Sequence, residues 1–156
     1  MSERTERKRA GWPEYFMKIA HEVATRATCD RKHVGCVLVM HRHIVATGYN
    51  GSPPGMPHCD DAGHDMVNGH CVRTIHAEVN AVAQAARYGV PLDGAQAFIN
   101  TFPCWPCFKV LASVGIRSVF YDDEYRTDER VTACAEKLGI TLIGPGLWRG
   151  LPGEPL

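Results

Sequence analysis

The chain has no excess of either charge, no long apolar run and no even set of cysteines, and each absence removes a class of protein. Its 17 Lys and Arg residues match its 17 Asp and Glu residues, so no global field recommends it to a nucleic acid or to an anionic membrane surface. No apolar stretch reaches the roughly 18 residues needed to span a bilayer, and the start MSERTERKRAG lacks the apolar character of a secretory signal. A cytoplasmic location without membrane contact is therefore expected. Seven cysteines cannot all pair, and a cytosol keeps thiols reduced, so metal ligation is the better use for them. Neither an internal repeat nor an extended low-complexity segment interrupts the 156 residues, a length that suits one domain with a buried core.

What is present is an alternation of periods. Trp12, Tyr15, Phe16, Ile19, Ala20, Val23 and Ala27 recur at helical spacing, with Pro13 suited to the first turn. Residues 34–40 and 44–49 read as paired strands joined by the polar His41, Arg42 and His43. Residues 51–69 are rich in Gly, Pro, Asp and His and have no periodicity, which predicts an irregular loop that needs a tether or a function. An alanine-rich helix follows over 76–88, apolar on most sides and so expected to be buried, closed by Gly89. Then come a strand at 95–101, a helix at 104–114, a strand at 118–121, a helix at 128–138 and a last strand at 140–143. Such alternation implies a sheet covered on both faces, an α/β sandwich. The reading thus divides the chain into a flexible start (1–11), one folded domain (12–143) and a Gly/Pro-rich tail (144–156) expected to hold no helix.

Two short patterns carry chemistry. His76-Ala77-Glu78 and Pro103-Cys104-Trp105-Pro106-Cys107 each stand where a helix begins, and together they offer one imidazole and two thiols. Zinc favours such nitrogen and sulfur ligands, and a catalytic site keeps three of them so that the fourth corner can hold water. Cys104 and Cys107, three apart, share a helix face, and a helix N-terminus favours the thiolate a metal requires. His76 and Glu78, two apart, do not share a face, so His76 must precede regular helix. Glu78 is then better cast as proton carrier than as fourth ligand, because hydrolysis by a metal-held water needs a group that moves the water's proton. Zinc brings the pKa of its water to about 7, which makes this chemistry accessible at neutral pH. A structural zinc or a redox dithiol would explain the Cys-x-x-Cys alone but not the His-x-Glu at a second helix start.

A second set of ligands flanks the irregular loop. Cys29, Cys59, His64 and Cys71 are spaced so that a folded loop could close them around one ion, tethering it to the end of the first helix. His70 is the rival to His64, but it adjoins Cys71, and neighbours seldom both reach one tetrahedral centre.

Gly48-Tyr49-Asn50-Gly51-Ser52-Pro53, Ile75-His76-Ala77-Glu78-Val79-Asn80-Ala81 and Phe102-Pro103-Cys104-Trp105-Pro106-Cys107 resemble the corresponding stretches of the deoxycytidylate deaminase family, and the likeness runs over about residues 15–142. His-x-Glu followed by Pro-Cys-x-x-Cys is the signature shared by zinc nucleobase deaminases. The resemblance implies a mixed sheet of about five strands in a three-layer α/β/α sandwich, zinc on His76, Cys104 and Cys107, and Glu78 as proton shuttle. It further implies conversion of dCMP to dUMP, a homo-oligomer, commonly a hexamer, and regulation by dCTP and dTTP. Asn50 matches an asparagine aimed at the pyrimidine edge, and Tyr125 a position near the substrate. Gly51, Asn80 and Arg87 match positions associated with effectors. Some family members carry an extra zinc, in keeping with the second ligand set. A tRNA adenosine deaminase, a cytidine deaminase, or a non-catalytic DNA-uptake accessory or zinc scaffold are the competing readings. The balanced charge speaks against the first and the intact Glu78 against the last.

Overall fold

The structure, a computed structural model, describes residues 9–124, 126–149 and 151. Helix α1 (Trp12–Ala24) opens with Pro13 in its first turn and buries Phe16, Met17, Ala20 and Ala24, a stripe at i, i+1, i+4 and i+8. It stops short of Ala27: the Thr25 hydroxyl donates to the Glu22 carbonyl at 2.6 Å, and the chain turns so that the Thr28 N–H reaches the Asn50 carbonyl. Strands β1 (Gly35–Met40) and β2 (His43–Tyr49) form an antiparallel hairpin. Met40 pairs with His43 across a two-residue turn of His41 and Arg42, both with positive φ, which matches the right-handed twist of the strands.

The segment expected to be an irregular loop holds some order of its own. It contains the short helix α2 (Cys59–Ala62) and a minimal hairpin of β3 (Met66–Val67) and β4 (His70–Cys71), turned at Asn68 and Gly69, both with positive φ. Helix α3 (Ala77–Arg87) follows. It buries only one face, through Ala77, Glu78, Ala81 and Ala85, while Ala83 and Ala86 face solvent. Alanine tolerates either side, so composition overstated the burial of this helix. Then β5 (Gln96–Ile99), α4 (Trp105–Ser113), β6 (Ser118–Tyr121), α5 (Glu129–Leu138) and β7 (Thr141–Ile143) alternate as the periods require.

The strands form a five-stranded sheet in the order β2-β1-β5-β6-β7. The pairs β2–β1 and β1–β5 are antiparallel, and β5–β6 and β6–β7 parallel, so the sheet is mixed. Alternate residues serve opposite faces. Cys36, Leu38, Ala97, Ile99 and Val119 pack with α3, α4 and α5, while Val37, Val39, Phe98 and Phe120 pack with α1. Phe98 stacks on Phe120 with ring centroids 4.4 Å apart and meets Phe16 at 5.1 Å. This is the three-layer α/β/α sandwich, and no helix among the described residues is long and apolar enough to cross a membrane.

Part of the Gly/Pro-rich tail is also structured. Helix α6 (Pro145–Trp148) uses Pro145 in its first turn, and Trp148 is buried against α1 and the sheet, its indole N–H donating to the Tyr121 carbonyl at 2.8 Å. Asp122 ties the region together by accepting from His21 at 2.8 Å and from Arg149 at 2.6 Å.

Two glycines let helices touch the sheet backbone. A methyl group at Gly35 would run into the Ala20 carbonyl of α1, and one at Gly48 into the Ala77 carbonyl and Ala81 backbone of α3. A side chain Gln84 on α3 also accepts from the Thr47 N–H of edge strand β2 at 2.8 Å. Gly48→Ala is expected to lower the unfolding free energy by about 1–3 kcal/mol through overpacking, read from urea denaturation. A denaturation midpoint equal to that of the unsubstituted chain would show that α3 can move away freely.

Candidate metal centre and active site

His76 and Cys104 occupy equivalent places. Each is the residue just before a helix, with extended backbone (φ −65°, ψ 152° and φ −72°, ψ 159°), and neither side chain caps its own helix. They face one another instead. His76 Nδ1 lies 3.5 Å from Cys104 Sγ and 3.3 Å from Cys107 Sγ, the latter one turn into α4. A tetrahedral centre with bonds of about 2.0–2.3 Å has edges of about 3.3–3.8 Å, the range of both imidazole–sulfur separations, and all three ligand atoms lie within 4.8 Å of one another, an arrangement suited to zinc. Cys107 is buried, Cys104 partly so and His76 exposed, which leaves the set open on the imidazole side.

The electrostatics favour a cation. The Cys107 thiol, followed by His76, hydrogen-bonds to Cys104 and holds it down to about 4, while the same pairing pushes Cys107 up: two sulfurs share one proton that a metal would replace. His76 is raised, chiefly by its bond to the Cys104 sulfur. Glu78 lies beside the cluster at 3% exposure, and burial raises its carboxyl above the usual range. Burial disfavours the charged carboxylate, so the group accepts a proton more readily than an exposed glutamate does.

The second ligand set also converges. Cys29, Cys59, His64 and Cys71 bring their ligand atoms within 4.8 Å of one another, and His70 is outside the group. Cys29 Sγ is 3.6 Å from His64 Nδ1, and Cys59 Sγ 3.5 Å from Cys71 Sγ, again the edges of a tetrahedron. Burial and the neighbouring thiols push Cys59 up to about 12. Burial acts in the same sense on Cys71, but the backbone amides of Arg73 and Asp65 outweigh it and bring that thiol to about 6. The other ring nitrogen of His64 meets Asp30 at 3.0 Å, an arrangement that fixes the tautomer with Nδ1 free for a metal.

The remaining expected residues divide. Asn50 lies just after β2, its Oδ1 accepting from the Val34 N–H at 2.8 Å and its Nδ2 donating to the Lys32 carbonyl at 2.7 Å. Gly51 bridges to Ile75, the residue before His76, and Asn80 Nδ2 reinforces that bridge by donating to the Tyr49 carbonyl at 2.8 Å. Arg87 is exposed in the last turn of α3, seven residues and so about 10 Å along the helix from Asn80. Tyr125 lies outside the described residues. Sequence reasoning passed over Asp30, Lys32, Asn100 and Thr101, although Asp30 adjoins Cys29, and Asn100 and Thr101 directly precede the Phe-Pro-Cys motif.

A His/Cys/Cys set at two helix starts with a buried glutamate beside it defines a zinc-dependent deaminase site. Residues 10–123 match the model of the cytidine and deoxycytidylate deaminase zinc-binding region, and the chain belongs to that family. It is 42% identical to ComE operon protein 2 of Bacillus subtilis over 86% of its own length and 71% of that protein. With the deoxycytidylate deaminase of Saccharomyces cerevisiae it shares 37% identity over 86% of this chain, which spans under half, 45%, of the yeast protein. Among solved structures, the dCMP deaminase of cyanophage S-TIM5 in complex with dCMP and dUMP superposes with a TM-score of 0.73 at 30% identity, covering 84% of this chain and 94% of that one.

Because Cys107 is the buried member of the His76, Cys104 and Cys107 set, Cys107→Ser is expected to reduce bound zinc by about one equivalent per chain after dialysis, measured by atomic absorption. Zinc content equal to that of the unsubstituted chain would remove this thiol from the ligand set.

Proposed function

We propose that this chain hydrolyses dCMP to dUMP with release of ammonia. The observation that carries the reading is the buried Glu78 beside an open set of three zinc ligands, and it is supported by the likeness to a phage enzyme whose complex contains dCMP and dUMP. Zinc held by His76, Cys104 and Cys107 supplies a Lewis acid that makes water nucleophilic at neutral pH. Glu78 takes the proton released as water adds to carbon 4 of the cytosine, passes it to the ring nitrogen, and delivers a proton to the amino group as that leaves. Its burial raises the carboxyl above its ordinary range, which makes it a better proton acceptor than an exposed glutamate. Asn50 retains one N–H and one lone pair beyond its backbone bonds, and these serve the pyrimidine edge. A non-catalytic scaffold would need the three ligands but has no use for a buried carboxyl that costs stability.

The same reading extends to the second ligand set, which we assign to a structural zinc on Cys29, Cys59, His64 and Cys71, with Asp30 orienting the histidine. It also includes assembly into a homo-oligomer, a hexamer in the family pattern, a cytoplasmic location, and control by dCTP and dTTP near Gly51, Asn80 and Arg87. In support of the last, Gly51 and Asn80 stitch the segment that leads directly into His76, so a ligand there acts on the catalytic imidazole.

A panel of dCMP, CMP, deoxycytidine and dCTP, followed by the ultraviolet change from cytosine to uracil, tests the substrate: dCMP is expected to be preferred, and equal efficiency on deoxycytidine would exclude selection for the phosphate. Glu78→Gln, which removes the proton carrier and no ligand, is expected to keep zinc and fold while losing about 10²–10⁴-fold in turnover. Activity within about tenfold of the unsubstituted chain would end that assignment. Metal analysis addresses the second site, with two zinc per chain expected, and one after Cys59 and Cys71 are both changed to Ser.

A further inference from the structure

We propose that Lys32 selects the anionic form of the substrate, its ammonium held toward the nucleotide phosphate by two asparagine side chains, Asn50 and Asn100, that act as positioning residues. The inference rests on the nucleotide reading above and deepens it by naming the charge that reads the phosphate.

Residues 32–35 lead into β1 between the ends of its two sheet neighbours, β2 and β5. Asn50, just past β2, accepts from the Val34 N–H and donates to the Lys32 carbonyl. Asn100, just past β5, does the same one residue on: its Oδ1 accepts from the Gly35 N–H and its Nδ2 donates to the His33 carbonyl, both at 3.0 Å. The backbone N–H groups of the two asparagines add bonds to the Val34 carbonyl at 3.3 Å and the Gly35 carbonyl at 3.4 Å. A carboxamide carries the same donor and acceptor as a peptide unit, so each asparagine continues the sheet ladder by one rung beyond its strand. A strand entrance that would otherwise fray is thereby fixed from both sides.

What this rigid entrance presents is Lys32. Its Nζ donates to Thr101 Oγ1 at 2.8 Å, and Thr101 is buried three residues before the ligand Cys104, a chain length that spans at most about 10–11 Å. The ammonium therefore stands beyond the C-terminal end of the central strand β5, where the chain leads on to Cys104, within a distance of that ligand comparable to the length of a nucleotide. Among the described residues it has no carboxylate partner, whereas Lys18 pairs with Glu14, Arg130 with Asp128 and Arg149 with Asp122, and Arg31 is spent on the Gly69 carbonyl. A cation positioned by a neutral hydroxyl keeps its charge for a ligand. The same corner has unspent hydrogen-bonding capacity. Thr28 Oγ1 and Ser52 Oγ are buried without a partner among the described residues, Thr28 donates its N–H to the Asn50 carbonyl, and Ser52 is two residues from Asn50. Lys32 supplies the charge for a phosphate, and the two unpartnered hydroxyls add hydrogen-bonding capacity beside Asn50, while the one carboxylate in this stretch, Asp30, is turned to His64.

Steady-state kinetics on dCMP with the full zinc-loaded chain tests the assignment. Lys32→Gln is expected to raise KM for dCMP by about tenfold or more, as loss of a charge-assisted contact to phosphate requires, and Lys32→Arg to stay within about threefold. Asn100→Ala is expected to raise KM in the unsubstituted background and to add nothing in the Lys32→Gln background, because a residue that acts only through Lys32 has no effect once the ammonium is gone. A KM within about twofold in Lys32→Gln overturns the role of Lys32, and additive effects of the two substitutions overturn the clamp. The Lys32 variants decide the assignment whether or not Asn100→Ala folds. Absence of dCMP turnover by the unsubstituted chain overturns the reading of function and this inference together, whereas turnover with an unchanged KM in Lys32→Gln overturns this inference alone.

Discussion

The position of α3 on the sheet sets every distance at the site. His76 and Cys104 are not on one element; each is the last residue before its own helix, and the gap between them is the gap between two helix starts. Gly48 has no side chain to hold α3 away from β2, and Ala77, Ala81 and Ala85 add little bulk, so backbone meets backbone there. That close fit is what brings an imidazole within 3.3 Å of a sulfur 31 residues away. It also gives the site its electrostatic character, since Cys107 and His76 both hydrogen-bond to the Cys104 sulfur and hold it as the thiolate. Packing and chemistry are here one constraint. Glu78 follows from it as well, because a helix pressed this tightly on the sheet buries the first-turn residue that faces inward.

How much of this could be read from the chain depends on the range of the forces involved. Strands β1, β5 and β6 were legible because both faces of the sheet are covered there, so their runs are buried almost throughout, and the edge strand β2 because it follows β1 across a short polar turn. Cys104 with Cys107 was legible because three residues on a helix is a local relation. The hairpin β3–β4 and helix α6 were not, since neither has a period of its own. Helix α6 is held by a buried Trp148 and by Arg149 reaching Asp122, contacts that span about a turn of helix locally but 27 residues in sequence. The convergence of Cys29, Cys59, His64 and Cys71 was anticipated from ligand density, whereas Asp30 behind His64 was not, because a carboxylate next to a cysteine carries no distinctive spacing. The asparagine ladder was invisible for a stronger reason: its bonds join residues 16 and 65 positions apart, and neither asparagine differs in sequence from an ordinary turn residue.

The segment between β2 and α3 lives by different rules from the sandwich. Met56, Met66, Val67 and Val72 are all exposed there, so the stretch has almost no apolar interior to hold it. Order comes instead from polar and sulfur contacts: the four convergent ligands, Arg73 on the Gly63 carbonyl at 2.9 Å, and Arg31 on the Gly69 carbonyl at 3.3 Å. The segment ends at Ile75, which pairs with Gly51 before the chain enters His76. Whatever firms or loosens it therefore bears on His76 through the Gly51–Ile75 bridge and the Asn80 side chain that braces it.

Both margins of the sheet are made poorer templates for a further strand. On one side Gln84 occupies the Thr47 N–H of β2, and on the other β7 has three residues before Gly144 and Pro145 turn the chain away. An unpaired ladder is the usual template on which partly unfolded copies of a protein add to one another and precipitate. With that template partly masked at one end and cut short at the other, runaway strand addition between copies of the chain is disfavoured.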